Sequence, residues 1–254
     1  MAWNPDTYNR FKTERSAPFY DLLALLNVQP GLTAIDLGCG TGELTAKLAE
    51  ILPDSDVLGV DSSEEMLRKS QDAARGALRF ECISIENQLS KEQQWDVIFS
   101  NAALQWVPDH EVLFPKIINR LKAGGQLLIQ MPAQHHNLTN ELLEELGEQQ
   151  PYAQIYQGWN RISPVLEINR YAEILFENGS KSMQIFEKIY PLVLEDVDAL
   201  VTWVSGTALI PYLERLPEDM QSRFRDDYKT LLAKHFPKKP VFYPFKRILM
   251  AGVF

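Results

Sequence analysis

The sequence predicts an α/β fold in which a mostly parallel sheet carries helices on both faces. Three observations point to it. Short apolar runs at residues 32–37, 57–60, 78–82, 95–99 and 126–131 read as strands, and they alternate with segments whose apolar residues recur at helical spacing. The first run empties into Gly38-Cys39-Gly40-Thr41-Gly42, where glycines at alternate positions let the backbone turn sharply and approach a ligand closely. The second run ends on an acidic residue, Asp61, so strand, glycine loop and acid together describe a nucleotide-type pocket.

Taken in order, Ser16 is placed to cap a short helix whose first turn tolerates Pro18 and whose apolar face is Leu22, Leu23 and Leu26. After the first strand and the glycines, Leu44, Leu48, Ile51 and Leu52 mark one face of a helix that Pro53 follows. The strand at 57–60 leads to Asp61, and Ser62 or Ser63 caps a helix expected through about Arg75. Two interior strands follow, at 78–82 and 95–99. Leu113, Phe114, Ile117, Ile118 and Leu121 describe a helix between 109 and 121, which Gly124-Gly125 ends before the fifth strand at 126–131.

Beyond Pro132 a helix is expected at 137–146, a loop carrying Tyr152, Tyr156 and Trp159 at 151–164, a helix at 170–177 and a strand at 183–191. A mostly helical insertion at about 192–240 contains the stripe Met220, Phe224, Tyr228, Leu231, Leu232 and Phe236, read as packing, and the strand at 248–254 follows it. Trp203 reads most simply as core. The expected organisation is one domain, with an N-terminal lid and helix at 1–30, a cofactor-binding half at 31–135 and a substrate half at 136–254.

Composition narrows the function. The 254 residues are 45% hydrophobic and 23% charged, ordinary for a globular protein, and 25 basic against 34 acidic side chains give a net charge of -9. Such a surface repels nucleic acid and anionic membranes and favours a small-molecule substrate. No apolar window of membrane-spanning length and no leader pattern is visible, so a cytoplasmic protein is expected. Cys39 and Cys82 form neither a disulfide framework nor metal-ligand spacing, and reduced thiols are expected. His110, His135 and His136 lack partners at ligand spacing; structural roles are expected of them, and no metal.

Two cofactor classes compete for the glycine loop. A dinucleotide fingerprint needs G-x-G-x-x-G, and here the position three after Gly40 is Glu43, whose carboxylate would face a pyrophosphate. The spacing Asp36-x-Gly38-x-Gly40-x-Gly42 instead resembles motif I of the class I S-adenosylmethionine-dependent methyltransferases. Asn101-Ala102-Ala103-Leu104-Gln105-Trp106 after the fourth strand and Leu121-Lys122-Ala123-Gly124-Gly125 before the fifth agree with that family.

The resemblance implies a Rossmann-like, seven-stranded sheet with an antiparallel last strand, S-adenosylmethionine as cofactor and S-adenosylhomocysteine as product. It implies cofactor contacts from Asp36, Gly38, Cys39, Gly40, Gly42, Asp61, Ser62, Met66, Ser84, Ile85, Asn101 and Ala102, with Asp61 accepting from the ribose hydroxyls. Many relatives place an Asp near the adenine where this chain has Ser84, leaving Ser84 or Glu86 for that contact. A plainer alternative for Asp61 is a helix cap.

Segments spread along the chain resemble the trans-aconitate methyltransferases, small-molecule carboxyl O-methyltransferases. They are Trp3-Asn4-Pro5 with Tyr8, Phe11 and Glu14-Arg15-Ser16; 101–110; Gln130-Met131-Pro132; 171–179; Trp203-Val204 with Pro211-Tyr212-Leu213; and 245–251 around Arg247. The resemblance implies methylation of a carboxylate on a small polycarboxylic acid such as trans-aconitate, giving a monomethyl ester. A carboxylate is ionised near neutral pH and needs no catalytic base, so positioning dominates.

Arg15 and Arg247 are the candidates to grip carboxylates in two-pronged fashion, against the plainer reading of surface or salt-bridged arginines. Tyr8 is a candidate lid residue or simple packing, and Trp106 a pocket wall or core. The family's basic residue before Pro211 is Ile210 here, which leaves Arg161, Arg170 or Lys246 as replacement anchors. Two alternatives stay open: a methyltransferase for a carrier-bound malonyl or other acid, and a non-catalytic S-adenosylmethionine-binding module.

Overall fold

The computed structural model describes residues 12–70, 74, 76–161 and 163–254. They form α1 (Lys12–Leu23), β1 (Thr33–Leu37), α2 (Glu43–Ile51), β2 (Asp56–Asp61), α3 (Glu64–Ser70), β3 (Leu78–Cys82), α4 (Ile85–Ser90), β4 (Trp95–Asn101), α5 (His110–Ile118) and β5 (Leu121–Pro132). There follow α6 (Leu138–Gly147), α7 (Tyr152–Tyr156), α8 (Ile168–Glu177), β6 (Ser182–Leu194), α9 (Val197–Ser205), α10 (Ile210–Leu213), α11 (Glu218–His235) and β7 (Val241–Val253).

The described strands make one seven-stranded sheet in the order β3-β2-β1-β4-β5-β7-β6. β3, β2, β1, β4 and β5 are mutually parallel, and β7 runs antiparallel to β5 with Pro132 opposite Arg247 and Gln126 opposite Val253. The interior strands are buried because both faces are covered, which is why they read as continuous apolar runs in the sequence.

The chain divides into two compact units. Of the described residues, one comprises 17–70, 74, 76–132, 164–188 and 247–254, and the other 12–16, 133–161, 163 and 189–246. In the first, Ala34, Ile35 and Leu37 of β1, Val97 to Phe99 of β4 and Leu127 to Ile129 of β5 are shielded from solvent. Two cross-strand ties fix the register of β1 and β4. At their amino ends Asp96 Oδ2 accepts from Thr33 N, Thr33 Oγ1 and Lys122 Nζ, and at their carboxyl ends Ser100 Oγ donates to the Leu37 carbonyl.

The second unit has its own core. Leu142, Leu143 and Leu146 of α6, Trp203 and Val204 of α9, Tyr212 of α10 and the expected stripe on α11 (Phe224, Tyr228, Leu231, Leu232) pack together, with Met220 and Phe236 at its margin. The Tyr228 hydroxyl donates to the Thr139 carbonyl at 2.8 Å, so the buried phenol is satisfied. Trp203 belongs to this core and stands edge-on to Phe245.

Several boundaries differ from the sequence expectation. Ser16 does not cap α1 but lies inside it with Pro18; the buried Phe19 ring on the same helix meets Phe99 at 5.5 Å. Ser63, not Ser62, caps α3, its Oγ accepting from Met66 N, and the part of that helix expected at 71–73 and 75 lies outside the described residues. The region 85–90 is helical, since Ile85, Gln88 and Leu89 present one buried face. α5 stops at Ile118, and Gly124 and Gly125 fall within β5, whose pairing starts with Leu121 opposite Trp95. The loop at 151–164 holds α7, and β6 and β7 extend beyond the expected 183–191 and 248–254. Among the described residues no helix is long and apolar enough to cross a membrane.

Candidate active site

β1 delivers Asp36 and then the glycines. Gly38 has φ of +80°, and a Cβ built on it would lie 2.2 Å from the Ala103 Cβ, so this position needs glycine both for its conformation and for the close approach of the segment after β4. Gly40 has φ of +57° with no atom within 4 Å of its would-be Cβ, an open cradle beside the loop. The Gly38 and Cys39 amides both donate to the Val60 carbonyl, which ties the loop to the end of β2. Gly42 precedes α2 as its N-cap.

Asp36 is buried. Its Oδ2 accepts from Thr45 Oγ1 at 2.6 Å, while its Oδ1 meets no hydrogen-bond partner among the described residues. Burial pushes the Asp36 carboxyl up to about 7; the Thr45 hydrogen bond opposes that rise and the nearby Asp61 charge adds to it. The Cys39 thiol is pushed well up as well, by burial and then by the Asp36 and Asp61 carboxylates, which favours its protonated form. Cys39 and Cys82 are both free thiols.

Asp61 ends β2 with both oxygens engaged: Oδ2 accepts from Gly40 N and Oδ1 from Ser63 N, each at 2.9 Å. One side chain thus braces the glycine loop and closes the turn that leads into α3, whose cap is Ser63, and each oxygen retains a second lone pair. Ser62 is exposed and Met66 half-buried on the turn and helix that follow. Ser84 caps α4, accepting from Asn87 N at 3.2 Å, so its hydroxyl oxygen already has one donor; the exposed Glu86 follows it. Ile85 is buried, its Cδ1 3.9 Å from where a Gly38 Cβ would stand.

At the carboxyl end of β4, Ala102 adopts φ of +55°, a left-handed conformation that costs a non-glycine residue roughly 1–2 kcal/mol and marks a strained turn. Its amide donates to the Gln130 carbonyl and its carbonyl accepts from Gln105 Nε2, which pins both sides of the turn. Asn101 Oδ1 and Gln105 Oε1 are buried without hydrogen-bond partners among the described residues. Trp106 is 52% exposed, which removes the core reading. At the start of α5 His110, buried, bonds the Leu104 carbonyl through Nε2 at 3.0 Å and Tyr171 OH through Nδ1. Tyr171 OH also accepts from Leu166 N, so a buried chain of hydrogen bonds sets the height of the Leu104–Trp106 turn.

Arg247, on β7, is 7% exposed and donates from Nη1 to Gln130 Oε1 at 3.1 Å. Its neighbours in β5 are fixed by the antiparallel register.

The chain matches the family described as methyltransferase domain over residues 29–187. It is 42% identical over 258 residues to trans-aconitate 2-methyltransferase of Deinococcus radiodurans, a match covering 99% of this chain and 98% of the relative. The chain belongs to the trans-aconitate 2-methyltransferase family. Its fold is shared with the YcgJ protein of Bacillus subtilis at a TM-score of 0.61 and 14% identity, over 93% of this chain and 97% of that one. Phosphoethanolamine N-methyltransferase 2 of Haemonchus contortus, solved with S-adenosylhomocysteine, shares it at a TM-score of 0.55 and 19% identity, over 92% of this chain and 52% of that one.

A member of this family is an S-adenosylmethionine-dependent methyltransferase, and the residues present fit that cofactor. The orphaned Oδ1 of Asp36 and the spare lone pairs of Asp61 are acceptors, which suits a ligand bearing an ammonium and ribose hydroxyls, and the open space at Gly40 admits it close to the backbone. One unit gathers Asp36, Gly38, Cys39, Gly40, Gly42, Asp61, Ser62, Met66, Ser84, Ile85, Asn101, Ala102, Trp106 and Arg247. Tyr8 lies outside the described residues; Arg15 lies in α1, its side chain outside what is described.

Of the replacement anchors, Arg170 is taken by Glu111, Glu173 and Glu177, which removes it as a carboxylate grip. Arg161, half-buried in the other unit, lines a small cavity there with Gln134, Glu144, Ser163 and Tyr212. Lys246 gives its backbone amide to Asn137 Oδ1. Among the described residues no three His, Cys, Asp or Glu side chains gather at metal-holding range. The sequence reading missed Thr45, Gln130 and the His110–Tyr171 pair; a polar residue in the apolar strand 126–131 was the available signal for Gln130.

Proposed function

We propose that this enzyme methylates a carboxylate of a small polycarboxylic acid, trans-aconitate first among them, forming the monomethyl ester and S-adenosylhomocysteine. S-adenosylmethionine supplies a methyl group made electrophilic by its sulfonium. The observation that carries the reading is Arg247, an always-charged guanidinium buried in the same unit as the glycine loop, because a buried cation suits an anionic guest. The full-length likeness to a relative named for trans-aconitate supports the particular acid.

In this reading Asp36, Gly38, Cys39, Gly40, Gly42, Asp61, Ser62, Met66, Ser84, Ile85, Asn101 and Ala102 hold the cofactor within residues 31–135. Tyr8, Arg15, Trp106 and Arg247 position the acid, with residues 136–254 supplying the substrate half. The substrate carboxylate is ionised at neutral pH, so the chain has to bind, orient and exclude water rather than remove a proton, and no metal is called for. The net charge of -9 fits a cytoplasmic enzyme that acts on a small acid rather than on nucleic acid or a membrane surface. The test is detection of S-adenosylhomocysteine release with trans-aconitate, cis-aconitate, citrate, isocitrate and simple mono- and diacids offered singly. Turnover is expected with trans-aconitate; silence across the panel with cofactor binding intact would refute the reading.

A further inference from the structure

We propose that Gln130 is a specificity residue that holds a second, non-reacting carboxylate of the substrate through its Nε2, with Arg247 fixing the polarity of its amide. The inference deepens the acid-substrate reading and rests on it. Gln130 is wholly buried near the carboxyl end of β5, opposite Asn101 of β4 and Leu249 of β7. A side-chain amide can present either end to a neighbour, but a guanidinium has only donors. The 3.1 Å contact from Arg247 Nη1 therefore turns Oε1 toward Arg247 and leaves Nε2 as the end not engaged by it. That Nε2 is buried and meets no acceptor among the described residues. Ligands of open α/β sheets bind at the carboxyl ends of the strands, where Gln130 stands; its carbonyl also accepts from Ala102 of the expected cofactor turn.

With its oxygen turned to Arg247, Gln130 adds a donor beside a permanent cation, a combination that selects carboxylate oxygens over amides, hydroxyl donors or ammonium groups. Donors that engage a carboxylate withdraw its lone pairs and blunt it as a nucleophile. They therefore suit a carboxylate that is held while another reacts. The substrate class that follows carries at least two carboxylates, one methylated and one retained as the anion.

The experiment titrates trans-aconitate into the protein saturated with S-adenosylhomocysteine, for wild type and the variants Gln130→Met and Gln130→Glu, with S-adenosylhomocysteine affinity measured in parallel. Loss of one hydrogen bond to a charged group predicts that Gln130→Met binds trans-aconitate about tenfold or more weakly. Gln130→Glu is expected to bind it weaker still, with S-adenosylhomocysteine affinity unchanged for both. Wild type should bind the monoacid crotonate at least about tenfold more weakly than trans-aconitate, a comparison that needs no variant to fold. Equal trans-aconitate affinity in all three proteins, crotonate binding as tightly as trans-aconitate, or a parallel loss of both ligands would overturn the proposal. If wild type turns over trans-aconitate while the Gln130 variants bind it normally, the specificity role alone falls. If wild type neither binds nor turns over any acid, both readings fall.

Discussion

Replacing Asp36 by Asn isolates what this buried acid costs the fold. Its carboxyl sits at about 7 in the folded protein against an ordinary 3.8, chiefly because burial penalises the charged form. Each unit of difference is worth about 1.4 kcal/mol, so the gap of about three units amounts to a ceiling of about 4 kcal/mol. The sign follows from proton binding: the folded state holds this proton more tightly than the unfolded chain. Stability is therefore fully present below the unfolded value and is lost as pH rises toward 7. The Asp36→Asn variant cannot ionise, yet its amide oxygen still accepts from Thr45 Oγ1, the partner Asp36 has at 2.6 Å. Urea denaturation of both proteins at pH 5 and pH 8 should show the variant gaining about 3 kcal/mol on wild type between the two. S-adenosylhomocysteine affinity should fall, since a neutral amide offers less to a cationic group than a carboxylate. A stability difference that stays constant with pH to within about 0.5 kcal/mol would refute the assignment of a displaced titration to Asp36.

Three further outcomes are expected. Gly38→Ala meets both left-handed strain and the 2.2 Å overlap with Ala103 and should lose about 2–5 kcal/mol, whereas Gly40→Ala, with open space around it, should lose only about 1–2 kcal/mol, both read by urea denaturation. Tyr171→Phe removes the hydroxyl shared by His110 and Leu166 N and should cost about 2 kcal/mol or more; an unchanged unfolding midpoint would contradict the buried chain described. Burial holds the His110 ring below the ordinary histidine value of 6.5, so its ring chemical shifts should titrate with a midpoint below that value, and the stability lent by its neutral form is lost as pH falls through the folded midpoint; a midpoint at or above 6.5 would contradict this.

Most of the parallel half of the sheet was legible because its interior strands are buried on both faces and three of them end in a recognisable signal: glycines after β1, Asp61 at the end of β2, Asn101 at the end of β4; the strand at 78–82, expected to be interior, is instead the mostly exposed edge strand β3. The glycine loop was legible for the same reason, since alternate glycines have a backbone meaning independent of tertiary context. Where local rules competed with packing they misled. Ser16 and Pro18 look like a helix start, yet the helix begins four residues earlier, at Lys12. Gly124-Gly125 look like a helix stop but extend a strand held by Trp95. The pairing of Arg247 with Gln130 joins residues 117 positions apart, and no periodicity encodes such a contact. Asp61 shows the same limit: its place was readable, but its double task of bracing Gly40 and closing the turn at Ser63 was not.

The sheet order carries a consequence for how the chain reaches this state. β7 lies between β5 and β6 although it is translated after both. While the residues separating β5 from β7 are being synthesised, roughly ten seconds at ordinary ribosomal rates, the β5 edge with Leu127, Leu128, Ile129 and Met131 has no neighbour on that side. β6 emerges into that interval and must leave the place beside β5 open for a strand that does not yet exist. The interval between β5 and β7 thus leaves an apolar strand edge uncovered, which is the stage at which a chaperone would have most to protect.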